Sequence, residues 1–107
     1  MNDLASRQCV PCHGGVPKLH SEEIARLLPQ LREWEVIDEH HLKKSYKFPN
    51  FRQALEFINR VGAVAEAEGH HPDIRFGWGY AEIEIHTHAI DGLSESDFIL
   101  AAKLDAL

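Results

Sequence analysis

The sequence predicts a single α+β domain in which helices cover a four-stranded antiparallel sheet, in the order α-β-β-α-β-β-α. Two observations support this prediction. The chain has 107 residues, which is enough for one hydrophobic core and too few for two. Segments with the apolar period of helices are interleaved with pairs of segments that have the two-residue period of strands. Residues 1–107 are therefore one domain, and we expect residues 1–18 to form a flexible N-terminal segment.

The first helix is predicted to begin at Ser21, a residue type suited to an N-cap. Glu22 and Glu23 follow it, where the helix dipole favours negative charge. The apolar residues that define its buried face are Ile24, Leu27, Leu28 and Leu31. Pro29 marks or bends its end, so we expect a short helix.

A hairpin is predicted from residues 34–37 and 42–48, which flank the polar stretch DEHH. The residues that fit burial with a two-residue period are Trp34, Val36, Leu42, Tyr46 and Phe48. Lys44 interrupts this apolar face, and the sequence alone does not explain its position.

The second helix is predicted over residues 50–69. Asn50 can cap its start, and Gly69 is suited to the left-handed conformation that ends many helices. The predicted apolar stripe consists of Phe51, Leu55, Ile58, Val61 and Ala65. His70 and His71 lie just beyond the helix, and Pro72 biases His71 toward an extended backbone.

Two further strands and a last helix complete the prediction. In the second of these strands, Ile83, Ile85 and Thr87 share one face. The opposite face carries Glu82, Glu84, His86 and His88. Ser94 and Asp97 form a capping box before FILAAKLDAL, whose apolar residues spread around more than one face. We therefore expect this helix to have a second burial surface, such as another subunit.

Charge and hydropathy exclude several classes of protein. Seventeen acidic and eleven basic residues give a formal charge of -6, which repels nucleic-acid phosphates and anionic membrane surfaces. No apolar run approaches the roughly 20 residues of a membrane span, and the N-terminus lacks the pattern of a secretory signal. We expect a cytoplasmic protein without direct contact to nucleic acid or membrane.

The CVPCH stretch at residues 9–13 matches both a redox CxxC and a haem-attachment motif. A haem bound through His13 needs an exported chain and an axial partner, and the only methionine is Met1. A zinc site on Cys9 and Cys12 needs two more ligands, and there is no second CxxC. We expect reduced thiols on a flexible segment.

Three of the eight histidines occupy positions from which side chains can converge on one cleft. His70 and His71 follow a helix end, and His88 ends a strand; a solvated role is about equally compatible with these positions. One chemistry is acid–base catalysis by imidazoles. Another is a three-histidine metal site that joins His86 and His88 to His70 or His71. Spacing does not decide between them.

Residues 69–98, GHHPDIRFGWGYAEIEIHTHAIDGLSESDF, resemble the signature of the pterin-4a-carbinolamine dehydratases. The shared features are HHP, an aromatic-bearing strand, a strand ending in TH, and GLS before a helix with an acidic start. The element order and the CxxC segment before a short first helix are also similar to bacterial members. The resemblance therefore covers nearly the whole chain.

The resemblance implies a hydro-lyase that dehydrates 4a-hydroxytetrahydropterin to quinonoid dihydropterin, without metal or other cofactor. It implies an acid–base pair, His70 and His88, with His71 as a positioning or auxiliary catalytic residue. The substrate-binding set that it implies is His70, His71, Pro72, Thr87, His88, Ala89 and Ile90. Asp97 either orients a histidine or only caps its helix. Many relatives have a tryptophan soon after HHP, where this chain has Ile74, and the nearest aromatic residues here are Trp78 and Tyr80. Trp78 is the candidate supporting residue.

One further departure and two alternative functions accompany this resemblance. His86 is an additional histidine beside TH, which we expect to be an exposed strand residue. Members of the family also resemble a dimerisation cofactor of a homeodomain transcription factor, which docks through the helical surface that otherwise builds a homotetramer. The resemblance thus implies a homodimer or homotetramer, and a non-catalytic binding protein is the main alternative. A three-histidine zinc enzyme is a third.

Overall fold

The computed structural model describes residues 4–9 and 17–107 and confirms the predicted α+β order. Its helices and strands are α1 (Ser21–Leu27), β1 (Glu35–Ile37), β2 (His41–Lys47), α2 (Phe51–Glu68), β3 (Asp73–Gly77), β4 (Tyr80–Ile85) and α3 (Glu95–Asp105). Short 3₁₀ turns lie at Leu4–Ser6, Leu28–Gln30 and His88–Ile90. The four strands pair antiparallel in the order β1-β2-β4-β3, so β3 is an edge strand.

The start of α1 differs from the prediction by one residue. His20 is the flanking residue, with extended backbone, and its N–H donates to Glu23 Oε1 at 3.0 Å. Ser21 lies inside the helix, and its hydroxyl donates to the Glu39 carboxylate at 2.5 Å. The glutamate in the first turn therefore supplies the capping contact that Ser21 was expected to supply.

Both predicted ends of α2 are confirmed. The Asn50 side chain accepts a hydrogen bond from the Gln53 N–H at 2.9 Å, and Gly69 ends the helix with a φ of 65°. The predicted stripe is only partly correct, because Val61 and Ala65 are buried whereas Phe51 and Leu55 are exposed.

Aromatic packing explains the rotation of the buried face of α2. Phe57 contacts the rings of Tyr46 and Phe48 on β2, with centroid distances of 4.6 Å and 5.4 Å. This contact turns Ala54 and Phe57 toward the sheet and Phe51 away from it. Phe51 stacks on Phe76 of the edge strand at 5.7 Å.

Lys44, which interrupts the apolar face of β2, pairs with a buried carboxylate. Its Nζ lies 2.9 Å from Asp105 Oδ1, and the side chains are 12% and 6% exposed. Asp105 also accepts hydrogen bonds from Trp34 Nε1 and from the Arg32 N–H, both at 2.9 Å. The interrupting charge therefore ties β2 and the segment before β1 to the end of α3.

The predicted second burial surface of α3 is present, and it lies within the chain, so the apolar character of this helix does not require another subunit. Phe98, Leu100 and Leu104 are at most 2% exposed. The N-terminal turn packs on α3, with Leu4 fully buried and Lys103 Nζ donating to the Ala5 carbonyl at 2.8 Å. Both sides of α3 thus contact parts of the same chain.

No helix within residues 4–9 and 17–107 combines the length and the apolar character that crossing a bilayer requires.

We predict that Asp105→Ala lowers the free energy of unfolding by about 3 kcal/mol, because it leaves the Lys44 ammonium buried without its partner. Urea denaturation at a fixed protein concentration measures this loss. Glu56→Ala, which removes an exposed carboxylate from α2, is the control and should change stability by less than about 0.5 kcal/mol. Equal effects of the two substitutions would contradict the prediction.

Candidate active site

A cleft of about 210 Å³ lies where α2 ends and β4 ends. Its lining residues are Gly69, His70, His71, His86 and His88. The structure therefore brings together the three histidines predicted to be catalytic, and it adds His86 to them. Imidazoles can both donate and accept protons near neutral pH, so the cleft has the groups that acid–base chemistry requires.

The end of α2 directs His70 into the protein. Gly69 takes the left-handed conformation, and the His70 N–H donates to the Ala65 carbonyl at 3.2 Å. The chain therefore reverses immediately after the helix. His70 is only 3% exposed, in contrast to most surface histidines, and it forms the inner wall of the cleft.

A fully buried carboxylate, Asp97, holds the His70 ring. Asp97 Oδ1 lies 2.6 Å from His70 Nε2, so this nitrogen carries the proton that the carboxylate accepts. Asp97 Oδ2 accepts the Ser94 N–H at 2.8 Å and the Thr87 hydroxyl at 2.9 Å. The same carboxylate thus caps α3 and positions a histidine, although the sequence presented these as alternatives.

His71, Pro72 and Thr87 occupy three different environments. The His71 side chain is 62% exposed, and its Nε2 lies 3.4 Å from Glu66 Oε2. Pro72 is half-buried and leads into β3. The Thr87 side chain is buried below the cleft, where its hydroxyl contacts both Asp97 and the Ser94 hydroxyl. A bound substrate could reach Thr87 through its backbone, whereas its hydroxyl belongs to the buried network.

A row of histidine rings forms the outer wall of the cleft. His86 packs on His88 with a centroid distance of 4.1 Å and on His40 with one of 4.6 Å. His86 is only half-exposed, in contrast to the expectation of an exposed strand residue. Burial, and then the neighbouring His88 and His40, lower the pKa of His86. The His86 ring is therefore neutral at neutral pH.

Among residues 4–9 and 17–107, two groups of side chains bring ligand atoms suited to a metal within 4.8 Å of one another. One group is Asp73, His86 and His88, and the other is His40, His86 and Asp91. In the second group, His40 Nε2 and Asp91 Oδ1 are already joined at 2.7 Å, and this contact lowers the pKa of Asp91. Neither group contains His70 or His71, in contrast to the three-histidine sites considered from the sequence.

Ala89, Ile90 and Trp78 of the predicted site also lie outside the cleft wall. Ala89 and Ile90 belong to the 3₁₀ turn that begins at His88, adjacent to the wall in sequence. Trp78 lies in the β3–β4 turn, at the opposite end of this hairpin, with 71% of its surface exposed. Five residues of β3 separate the turn from the cleft, a distance of about 17 Å at 3.4 Å per residue.

Cys9 has no part in the cleft, and Cys12 and His13 lie outside the described residues. The Cys9 N–H donates to Glu68 Oε1 at 3.0 Å, and Sγ lies 3.5 Å from the Ser96 carbonyl. Burial, and then the Glu68 carboxylate, raise the pKa of the Cys9 thiol to about 12. A thiol with so high a pKa is a poor nucleophile at neutral pH, which argues against redox chemistry at Cys9.

The sequence analysis gave no site role to Asp73, and it gave His86 a role only in the alternative three-histidine metal site. The two-residue spacing of His86 and His88 was a signal that both side chains lie on one face. Asp73 comes close to His86 and His88 because β3 pairs with β4 in a register that places Asp73 opposite Glu84. That register follows from tertiary packing and has no local sequence signal.

Comparison with known proteins now identifies the family. The family described as pterin 4 alpha carbinolamine dehydratase matches residues 17–107. The chain belongs to this family. Family membership makes it a hydro-lyase of the pterin carbinolamine class, in agreement with the resemblance found in residues 69–98.

Relatives of nearly equal length support this assignment. A protein of Rubrobacter xylanophilus is 63% identical over 107 residues, which cover all of both chains, and one of Alkaliphilus metalliredigens is 54% identical over 98% of this chain and 96% of the relative. Both have the name "Putative pterin-4-alpha-carbinolamine dehydratase".

Two solved structures share the fold of this pterin carbinolamine dehydratase family member. The transcriptional coactivator/pterin dehydratase of Brucella melitensis aligns with a TM-score of 0.79 and 27% identity, over 84% of this chain and 97% of that one. A pterin dehydratase-like RuBisCO assembly factor of the alpha-carboxysome aligns with a TM-score of 0.60 and 27% identity, over 70% and 88%.

Proposed function

We propose that the protein dehydrates 4a-hydroxytetrahydropterin to quinonoid dihydropterin and water, and so recycles the cofactor of aromatic amino-acid hydroxylases. The observation that carries this proposal is that two imidazoles, those of His70 and His88, line one cleft. Family membership supports the substrate class. The proposed reaction uses the protein's own histidines and needs no metal or other cofactor.

The reaction needs one proton donor and one proton acceptor. A proton added to the 4a-hydroxyl lets the C4a–O bond break, so that the oxygen leaves as water. The proton on N5 is lost as the N5–C4a double bond forms. One proton is given and one is taken, so the net charge of the histidine pair is unchanged. Proton exchange with solvent then restores the starting protonation of each ring.

The environments of the two histidines favour a division of roles. Asp97 lies 2.6 Å from His70 and stabilises the imidazolium that forms when this ring takes a proton. We therefore assign proton acceptance at N5 to His70. His88 is 65% exposed and exchanges protons readily with water, which suits it to protonate the leaving hydroxyl. His71, at the mouth of the cleft, is the auxiliary residue.

The remaining substrate contacts are proposed from the family pattern. The backbone around Thr87, Ala89 and Ile90 continues from His88 and is placed to contact the pterin ring. Pro72 fixes the direction of the loop after His71. A stacking role for Trp78 requires a second chain to bring this side chain to the cleft, since it lies at the other end of its hairpin.

We predict that His70→Ala and His88→Ala each slow dehydration by roughly 10²-fold or more, because each removes one proton-transfer group. Stopped-flow absorbance measures the decay of 4a-hydroxytetrahydropterin generated in place by a hydroxylase. Each protein is assayed before and after dialysis against a chelator, and the wild-type rate should be unchanged by the chelator.

His20→Ala is the matched control, since His20 is an exposed histidine before α1, and this variant should retain the wild-type rate. Loss of wild-type activity on chelation would overturn the metal-free mechanism. A wild-type rate equal to the spontaneous rate would overturn the enzyme assignment and favour a binding role.

Asp97→Asn should lower kcat by about 10-fold or more while KM changes little, because the amide no longer stabilises a protonated His70. The same stopped-flow assay over a range of substrate concentrations separates the two constants. Urea denaturation of the variant distinguishes this effect from simple loss of folded protein. A rise in KM at constant kcat would contradict the positioning role of Asp97.

A non-catalytic binding role is the second candidate, and the two related solved structures favour it. One is described as a transcriptional coactivator/pterin dehydratase and the other as a RuBisCO assembly factor.

Exposed apolar side chains of Phe51 and Leu55 on α2 adjoin Ile74 and Phe76 on the edge strand. We propose that this patch forms the contact of a homodimer or homotetramer, since contiguous apolar patches mark interfaces.

Replacement of Phe51 and Ile74 by lysine should therefore convert the assembly to a chain of 12.2 kDa in light scattering after size exclusion. Charge at an apolar contact disfavours association, whereas the monomer tolerates it at an exposed position. Leu107→Lys, at an exposed apolar residue of the C-terminus, should leave the mass of the assembly unchanged. An unchanged mass in the double variant would show that another surface is used.

A further inference from the structure

A cluster of three side chains at the rim of the cleft has the composition of a metal site. Asp73 begins β3, and His86 and His88 follow β4. Their ligand atoms all lie within 4.8 Å of one another, and His88 Nε2 is 4.0 Å from Asp73 Oδ2. We infer that these side chains bind a divalent transition metal of the zinc class, and that the bound metal inhibits dehydration by occupying His88.

The distances fit a tetrahedral ion after a small movement. Zinc bound at about 2.0–2.1 Å places its ligand atoms about 3.3 Å apart, so no pair in the cluster has to close by more than about 1.5 Å. The side chains of Asp73 and His88 are 66% and 65% exposed, so they can rotate inward without disturbing the core. His86, which packs between two other rings, is the fixed member.

The chemistry of the donors selects the metal. Two imidazoles and one carboxylate suit zinc and its transition-metal neighbours, whereas calcium and magnesium prefer oxygen ligands alone. Three protein ligands leave a coordination position open to water. The second group, His40, His86 and Asp91, shares only His86 with the first group. In this second group, His40 Nε2 and Asp91 Oδ1 already form a hydrogen bond of 2.7 Å.

Sheet pairing places this cluster beside the catalytic histidines. Asp73 and Glu84 are paired residues of β3 and β4, so the start of one strand adjoins the end of the other. His86 and His88 continue the chain from that end and line the cleft with His70. A metal on His88 Nε2 takes the lone pair that a proton would occupy, so metal binding and proton transfer exclude each other.

Metal binding can be measured independently of activity. Cobalt(II) is titrated into the full chain carrying Cys9→Ser and Cys12→Ser, which removes the thiolates as competing ligands, and its visible absorption reports the coordination. Calorimetry with zinc gives the stoichiometry. We expect one ion per chain, and at least about 10-fold weaker binding in His86→Ala and in Asp73→Asn. His20→Ala should bind the metal as tightly as the chain without this substitution.

Three results would overturn the site. The first is absence of stoichiometric metal binding by the chain without any ligand substitution. The second is unchanged metal affinity in both His86→Ala and Asp73→Asn. The third is a loss of metal affinity in His40→Ala or Asp91→Asn while Asp73→Asn binds the metal normally. The last result would place the ion on the second group instead.

The inhibition rests on the proposed dehydratase function and is tested separately. Zinc should slow dehydration by the parent at least about 10-fold, and a chelator should restore the rate. In His86→Ala and in Asp73→Asn, zinc should leave the dehydration rate unchanged when each variant is compared with its own metal-free rate. Zinc binding without a change in rate would overturn inhibition alone. Absence of metal-free activity would overturn the dehydratase proposal, while the cobalt titration would still decide the metal site.

Discussion

The buried carboxylate of Asp97 is the interaction on which the geometry of the site depends. It accepts hydrogen bonds from His70 at the end of α2, from Thr87 after β4 and from the Ser94 backbone before α3. A carboxylate removed from water is strongly destabilising unless such donors surround it. The three segments must therefore meet at one point for the domain to fold, and that requirement fixes the position of His70.

This arrangement makes the two walls of the cleft physically different. The inner wall carries a histidine held by a buried carboxylate, whereas the outer wall carries stacked and solvated rings, His86 and His88. An imidazole with a fixed acceptor retains one tautomer and one orientation, and an exposed imidazole equilibrates quickly with water. This asymmetry suits the proposed reaction, which removes a proton from one atom and adds one to a neighbouring group.

The sequence predicted those features whose cause is local. Asn50 and Gly69 end α2 where expected, because caps depend on a few adjacent residues. The prediction of the buried face of α2 was partly wrong, because Phe57 packs on aromatic rings of β2. The sequence of the helix carries no information about these rings. His70 was identified through its motif. The closeness of Asp73 to His86 and His88 depends on the register of β3 and β4, which only the assembled sheet determines.

The same local arrangement explains why His88 can serve two kinds of chemistry. The proposed proton donor has to be accessible to solvent, and the exposure of His88 also leaves it room to rotate toward an ion shared with Asp73 and His86. His70 has neither property, because its Nε2 proton is committed to Asp97. Burial therefore protects one member of the proposed acid–base pair from metals, while the exposure that suits the other member to proton exchange leaves it accessible to a metal ion.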